Sequence, residues 1–118
     1  MERKSSGGKY KKTRKKKLYE KRNQSRIVKL GEKRTKIVHC RGGLRKLVSL
    51  QQKEINLTVR GKSEKTVIKN VIETPANVFL ARQNILVKGA IVETELGRAR
   101  ITNRPSQEGI VQGILVEE

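Results

Sequence analysis

The chain has 118 residues, with 29 Lys/Arg against 11 Glu, no Asp, one Cys, no Trp and a formal charge of +18. That length predicts one domain, and a single cysteine excludes a disulfide framework and points to a reducing compartment. The longest apolar runs, such as Ile114-Leu115-Val116, are far too short to span a bilayer.

The charge is uneven along the chain. Residues 1–46 carry 19 Lys/Arg against Glu2, Glu20 and Glu32, a net of +16, whereas residues 47–118 carry 10 against 8 Glu, a net of +2. A segment at that charge repels itself and gains a fixed shape only beside something densely negative. Residues 1–25 have only Met1, Tyr10, Leu18 and Tyr19 as sizeable apolar groups, too few to offset the entropy of ordering. They are expected to form an extension, disordered when free, with a reach of roughly 80 Å at about 3.3 Å per residue. The start, Met-Glu-Arg-Lys, lacks the apolar stretch of a secretory signal, and no Gly follows Met1 for myristoylation. A soluble, intracellular protein is expected.

Residues 26–118 should form the folded part. Val and Ile number 21, and β-branched residues favour strands. Arg26–Leu30 reads as a short strand ended by Gly31-Glu32, Thr35–Arg41 as a second ended by Gly42-Gly43, and Leu47–Leu50 as a third. Ile55, Leu57 and Val59 alternate with Asn56, Thr58 and Arg60, placing the aliphatics on one face. Gly61–Glu64 reads as a turn, and Thr66–Glu73 as a strand despite a partial helical stripe. Thr74 suits an N-cap and Pro75 a first helical position, so a short helix is expected over Pro75–Arg82. Ala90–Glu93 and Arg98–Thr102 flank Thr94–Gly97 as a hairpin with Gly97 at the turn. Arg104–Gly109 reads as a loop and Ile110–Val116 as a closing strand. Six to eight short strands in so few residues predict a mostly β fold, a small antiparallel β-barrel with one short helix and a basic, extended N-terminal arm.

Catalytic chemistry has no visible residues. His39 and Cys40 are the only residues of their kinds. As strand neighbours they face opposite ways, which fits a strand histidine beside a half-buried thiol. A structural zinc site needs four ligands that the chain lacks. The carboxylates are scattered, and Gly61-Lys62-Ser63 echoes a phosphate loop but has Asn56 where the motif requires Gly. Neither an enzyme, a metal, a cofactor nor a small-molecule substrate is expected.

Binding is better supported. The basic run of Arg3, Lys4, Lys9, Lys11, Lys12, Arg14, Lys15, Lys16, Lys17, Lys21 and Arg22 continues into the folded part through Arg26, Lys29, Lys33-Arg34 and Lys36, then Arg41, Arg45 and Lys46. A solvated tail would not require a matching basic face on the domain, so a nucleic acid is the expected partner. In Arg41-Gly42-Gly43-Leu44-Arg45-Lys46, two glycines let the main chain approach phosphates flanked by cations, although the same pair suits a bulge or turn. Gly7-Gly8 offers close approach in the arm. The folded part has one aromatic residue, Phe79, whereas sheet-based single-strand readers stack bases on several. Contacts to backbone and shape are therefore expected to dominate.

The ordered motifs carry a resemblance. Ser6-Gly7-Gly8 is followed by the basic run and Lys17-Leu18-Tyr19-Glu20, then by Arg41-Gly42-Gly43 with Arg45-Lys46. Asn70-Val71, Pro75-Ala76-Asn77, Asn84-Ile85, Lys88-Gly89-Ala90-Ile91 and Thr94-Glu95-Leu96-Gly97 come next, and Ala99–Gly109 completes the series. Together they resemble the eukaryotic-type small-subunit ribosomal proteins of the S8e family, in the compact archaeal form. Leu44, Gln83 and the stretch Val78-Phe79-Leu80 depart from the family's usual residues. The resemblance implies a barrel-like domain on small-subunit ribosomal RNA, an arm threading between RNA helices, neighbouring ribosomal proteins as partners, and a place in the cytoplasmic ribosome with no membrane. The candidate RNA contacts are the basic residues from Arg3 to Arg22 named above with Gly7 and Gly8, then Arg26, Arg41, Gly42, Gly43, Arg45, Lys46, Arg82, Lys88 and Arg104. The alternatives from the sequence are a ribosome-assembly factor or a free RNA chaperone.

Overall fold

The computed structural model describes residues 2–116. The strand-rich sequence resolves into two sheets. One has three strands in the order β1 (Lys29–Leu30), β3 (Arg45–Gln52), β2 (Arg34–His39). The other is a closed barrel of β4 (Glu54–Val59), β5 (Lys62–Glu73), β6 (Ile91–Thr94), β7 (Gly97–Ile101) and β8 (Gln112–Leu115). A five-residue helix, α1 (Val78–Arg82), joins β5 to β6. Not all the strands expected from sequence therefore enter the barrel; the first three stand apart as their own sheet.

The barrel is built from alternation. Ile55 and Leu57 of β4, Ile68 and Val71 of β5, Val92 of β6, and Ala99 and Ile101 of β7 are buried together. Each fully buried large aliphatic contributes about 1.5–3 kcal/mol relative to exposure. The β4–β5 hairpin turns through Arg60 and Gly61, both at positive φ (48° and 79°). Two such residues match the right-handed twist of paired strands, so the turn falls earlier than Gly61–Glu64 and β5 begins at Lys62. Register shifts at Ile68/Asn70 and Val71/Glu73 bend the long β5, as bulges do. The β6–β7 hairpin has Glu95 and Leu96 as its two-residue loop, with Thr94 paired to Gly97.

Closure is not antiparallel throughout. β8 pairs antiparallel with β7 but parallel with β4, setting Leu57 opposite Gly113. The closing strand is Gln112–Leu115, shorter than Ile110–Val116, because β4 pairs with Gln112, Gly113 and Ile114 and β7 with Gly113, Ile114 and Leu115.

Three further expectations are corrected. Of Arg26–Leu30, only Lys29–Leu30 is strand. The preceding residues are not paired as strand, but Val28 joins the core and its carbonyl accepts the Leu86 amide at 2.8 Å. The helix starts at Val78 with Asn77 as cap, its side-chain oxygen accepting from the Phe79 amide at 3.0 Å. Thr74–Asn77 instead forms a turn, closed by Asn77 N–H to the Thr74 carbonyl at 3.1 Å, because the fixed φ of Pro75 serves the second turn position as well as a helix start. Cys40 is exposed rather than half-buried: β2 ends at His39, and the Cys40 amide turns to the Leu44 carbonyl at 2.7 Å.

The arm has little structure of its own. Arg3 and Lys9 form an isolated bridge around Gly7, and Leu18–Glu20 makes a single 3-10 turn. The radius of gyration is 20.1 Å, against about 13 Å for a compact chain of this length, because the arm projects from the barrel.

Candidate nucleic-acid interface

The arm's cations are exposed along an extended backbone, so their charges face outward by geometry as well as repulsion. Glu20 tempers them at one point. Its carboxylate accepts from Arg14 at 2.6 and 3.0 Å and from the Lys17 amide at 3.0 Å. The Arg14 guanidinium, and then the Lys17 N–H, hold this carboxyl below its ordinary range. Elsewhere, the Lys65 ammonium does the same to Glu54 through a 2.6 Å ion pair. The side-chain cations of Lys11, Lys12, Lys15, Lys16, Lys17, Lys21 and Arg22 form no ion pair with a carboxylate among the described residues.

Arg41–Gly43 forms a short 3-10 turn in the β2–β3 connection. Gly42 and Gly43 both have left-handed φ, 72° and 73°, which a side chain would strain. A Cβ on either would meet nothing within 4 Å, so backbone conformation rather than crowding requires glycine here. Arg45 follows at the strand start, paired with His39 across the hairpin.

At the base of the arm the structure converges on one loop. Residues 104–109 lie against β3: the Ser49 amide donates to the carbonyls of Pro105 (3.2 Å) and Glu108 (3.3 Å), and Gln52 Nε2 donates to the Gly109 carbonyl at 2.8 Å. Lys46 Nζ donates to Gln107 Oε1, and Arg26 Nε donates to the Ser106 carbonyl at 3.0 Å. The Asn103 side chain braces the loop from the other side, donating to Glu108 Oε2 and the Ile110 carbonyl and accepting from the Gln112 amide. One loop thus ties the arm base, the small sheet and the barrel together.

Two adjoining cavities open beside this loop and share Ser25, Arg26, Arg104 and Ser106. The structure therefore gathers four sequence-selected residues, Arg26, Lys46, Lys88 and Arg104, around one cleft. Arg41–Gly43 sits apart at the hairpin end. Arg82 lies over the ring of Phe79, 5.8 Å from its centroid. Phe79 itself is exposed, as is its helix neighbour Val78. The cleft's apolar wall has no signature in the sequence, since nothing local sets Ile85 and Leu86 apart from core aliphatics. Among the described residues no group of three or more His, Cys, Asp or Glu could hold a metal ion. No helix among them is long and apolar enough to cross a membrane.

The sequence profile of the ribosomal protein S8e family matches residues 1–116. This chain belongs to that family. Among its relatives, the small ribosomal subunit protein eS8 of Haloarcula marismortui is 38% identical over 115 residues, covering 98% of this chain and 94% of its own length. The small ribosomal subunit protein eS8 of Pyrobaculum aerophilum is 42% identical over 118 residues, covering 97% and 90%. That of Nanoarchaeum equitans is 39% identical over 106 residues, covering 88% and 84%. The S8e assignment makes this a ribosomal protein of structural rather than catalytic kind, and the S8e profile includes the basic arm as well as the barrel.

Proposed function

We propose that this protein is a structural constituent of the small ribosomal subunit that holds ribosomal RNA by neutralising its phosphates. The observation that carries the reading is the outward-facing run of arm cations leading to a cleft gathering Arg26, Lys46, Lys88 and Arg104. Residues 1–25 hold 11 Lys/Arg against Glu2 and Glu20, and Glu20 is already engaged by Arg14. On this reading residues 1–25 are an extension that orders along RNA, and residues 26–118 are the domain that seats it. The glycine turn at Arg41–Gly43 lets main-chain amides reach phosphate oxygens, with Arg45 beside it. Neighbouring ribosomal proteins complete its surroundings in the cytoplasmic ribosome.

Each phosphate neutralised adds about 0.7–0.9 to the slope of log affinity against log salt. Full-length protein binding small-subunit RNA should give a slope of at least ~6, most of it lost on deleting residues 1–25. A slope of about one or two would remove the arm as the contact surface. Sedimentation of native lysate at moderate salt tests residence, with co-migration on mature small subunits as the expected result and restriction to immature particles as the contrary one.

A further inference from the structure

The cleft at the arm base has two unlike lobes. The first, about 280 Å³, is walled by Ile27, Leu80, Leu86, Val87 and Pro105 and edged by Lys88. The second, about 340 Å³, is polar and lined by Asn23, Gln24, Lys46 and Gln107. Arg26 and Arg104 stand at their junction, and no carboxylate among the described residues lines either lobe. Arg26 is half-buried and anchored through Nε to the Ser106 carbonyl. This spends one of the five guanidinium N–H donors and orients the rest.

We propose that this cleft is a nucleotide seat: one unstacked RNA base lies in the apolar lobe, and its flanking phosphate meets Arg26 and Arg104 at the junction. The inference rests on the RNA-binding reading above and locates a base contact within it. An apolar lobe bordered by cations complements a nucleotide, whose flat face sheds water while its phosphate requires counter-charge. An apolar side chain from a neighbouring protein would fill the first lobe but leave the junction cations unanswered. The seat also qualifies the expectation drawn from scarce aromatics, because aliphatic walls can hold a base that is already unstacked.

The test compares full-length protein binding to a single-stranded RNA oligomer and to an abasic oligomer of the same length and phosphate count. The intact strand should bind about tenfold more tightly, through burial of the base's apolar face. Ile27→Ser, at an exposed position, should bring the intact strand toward the abasic one. Arg104→Gln should lower the salt slope by about one. Equal binding of the two strands with a steep salt slope overturns the seat alone; weak, salt-insensitive binding of both overturns the reading beneath it. Wild-type affinity of Ile27→Ser for the intact strand also overturns the seat. In purified subunits, a photoreactive side chain at position 27 should crosslink to RNA, and crosslinks to protein alone would assign the lobe to a neighbouring polypeptide.

Discussion

Replacing Gly113 with Ala should open the barrel at its closing seam. A Cβ there would lie 2.7 Å from the Arg100 carbonyl oxygen, 3.0 Å from Ile55 Cδ1 and 3.3 Å from Leu57 Cδ2. An ordinary carbon–oxygen approach is about 3.3–3.6 Å, so a main-chain atom must retreat by roughly half an ångström. That shift falls on β8, which has three register pairs with β4 and three with β7. Overpacking a filled core costs about 1–3 kcal/mol, and an obstructing backbone puts this case at the upper end. The stiffer unfolded chain returns about 0.4–1 kcal/mol. A net loss of about 2 kcal/mol should lower Tm by about 10 °C in a domain of this size. Circular dichroism melts of the free protein measure it, with Gly8→Ala as control, since there the nearest atom to an added Cβ is Ser6 Oγ at 3.8 Å. Adding Ile55→Val removes the nearer side-chain obstacle but not the carbonyl, so the double variant should melt no higher than Gly113→Ala alone. A higher-melting double variant, or Gly113→Ala within about 2 °C of wild type, would refute the steric argument.

Other substitutions probe the remaining supports. Asn103→Ala removes three hydrogen bonds around the loop; it should cost about 1–2 kcal/mol and raise amide exchange over residues 104–111, and unchanged exchange there would show that the brace is dispensable. Thr74 Oγ1 is buried without a hydrogen-bond partner among the described residues, so Thr74→Val should leave stability unchanged or raise it by about 1 kcal/mol; a clear loss in a urea titration would contradict the unpaired hydroxyl. Glu20 titrates below the ordinary 4.5 because Arg14 and the Lys17 amide hold its charged form. The contact is therefore complete above that value and is lost as pH falls through the lowered one. The Lys17 amide resonance should follow with a midpoint under 4.5, whereas a midpoint at or above it would show that the pairing does not persist in solution.

The inward face of the first barrel strand was legible because period-two alternation in Ile55–Val59 reports which side is buried. What alternation does not report is which strand a given strand joins. The separate β1–β3–β2 sheet and the parallel β4–β8 seam were hidden for that reason, since both depend on pairings between distant stretches of chain. The helix start was misplaced because Pro75 satisfies a turn and a helix equally at the backbone level. Cys40 lies one residue beyond the end of β2, a boundary that residue pattern alone does not mark. Candidate cations were legible from composition, but their grouping was not. Arg26, Lys46, Lys88 and Arg104 are scattered over 79 positions of sequence and meet only because the loop after β7 folds back onto β3. The apolar lobe between them was invisible for the opposite reason: Leu80, Ile85, Leu86 and Val87 look like interior residues, and nothing local separates those that line a cleft from those that fill a core.

The parallel seam has a consequence for biogenesis. A ribosome releasing this polypeptide from its N-terminus delivers β4 long before residues 112–115, the stretch that β4 and β7 both need as a partner. Until that stretch emerges, two strand edges stay unsatisfied while the cationic leader is already outside the tunnel. On the proposed RNA-binding function, order of emergence favours early capture of the leader and late sealing of the barrel, and it leaves a brief interval in which an incomplete product could associate edge to edge.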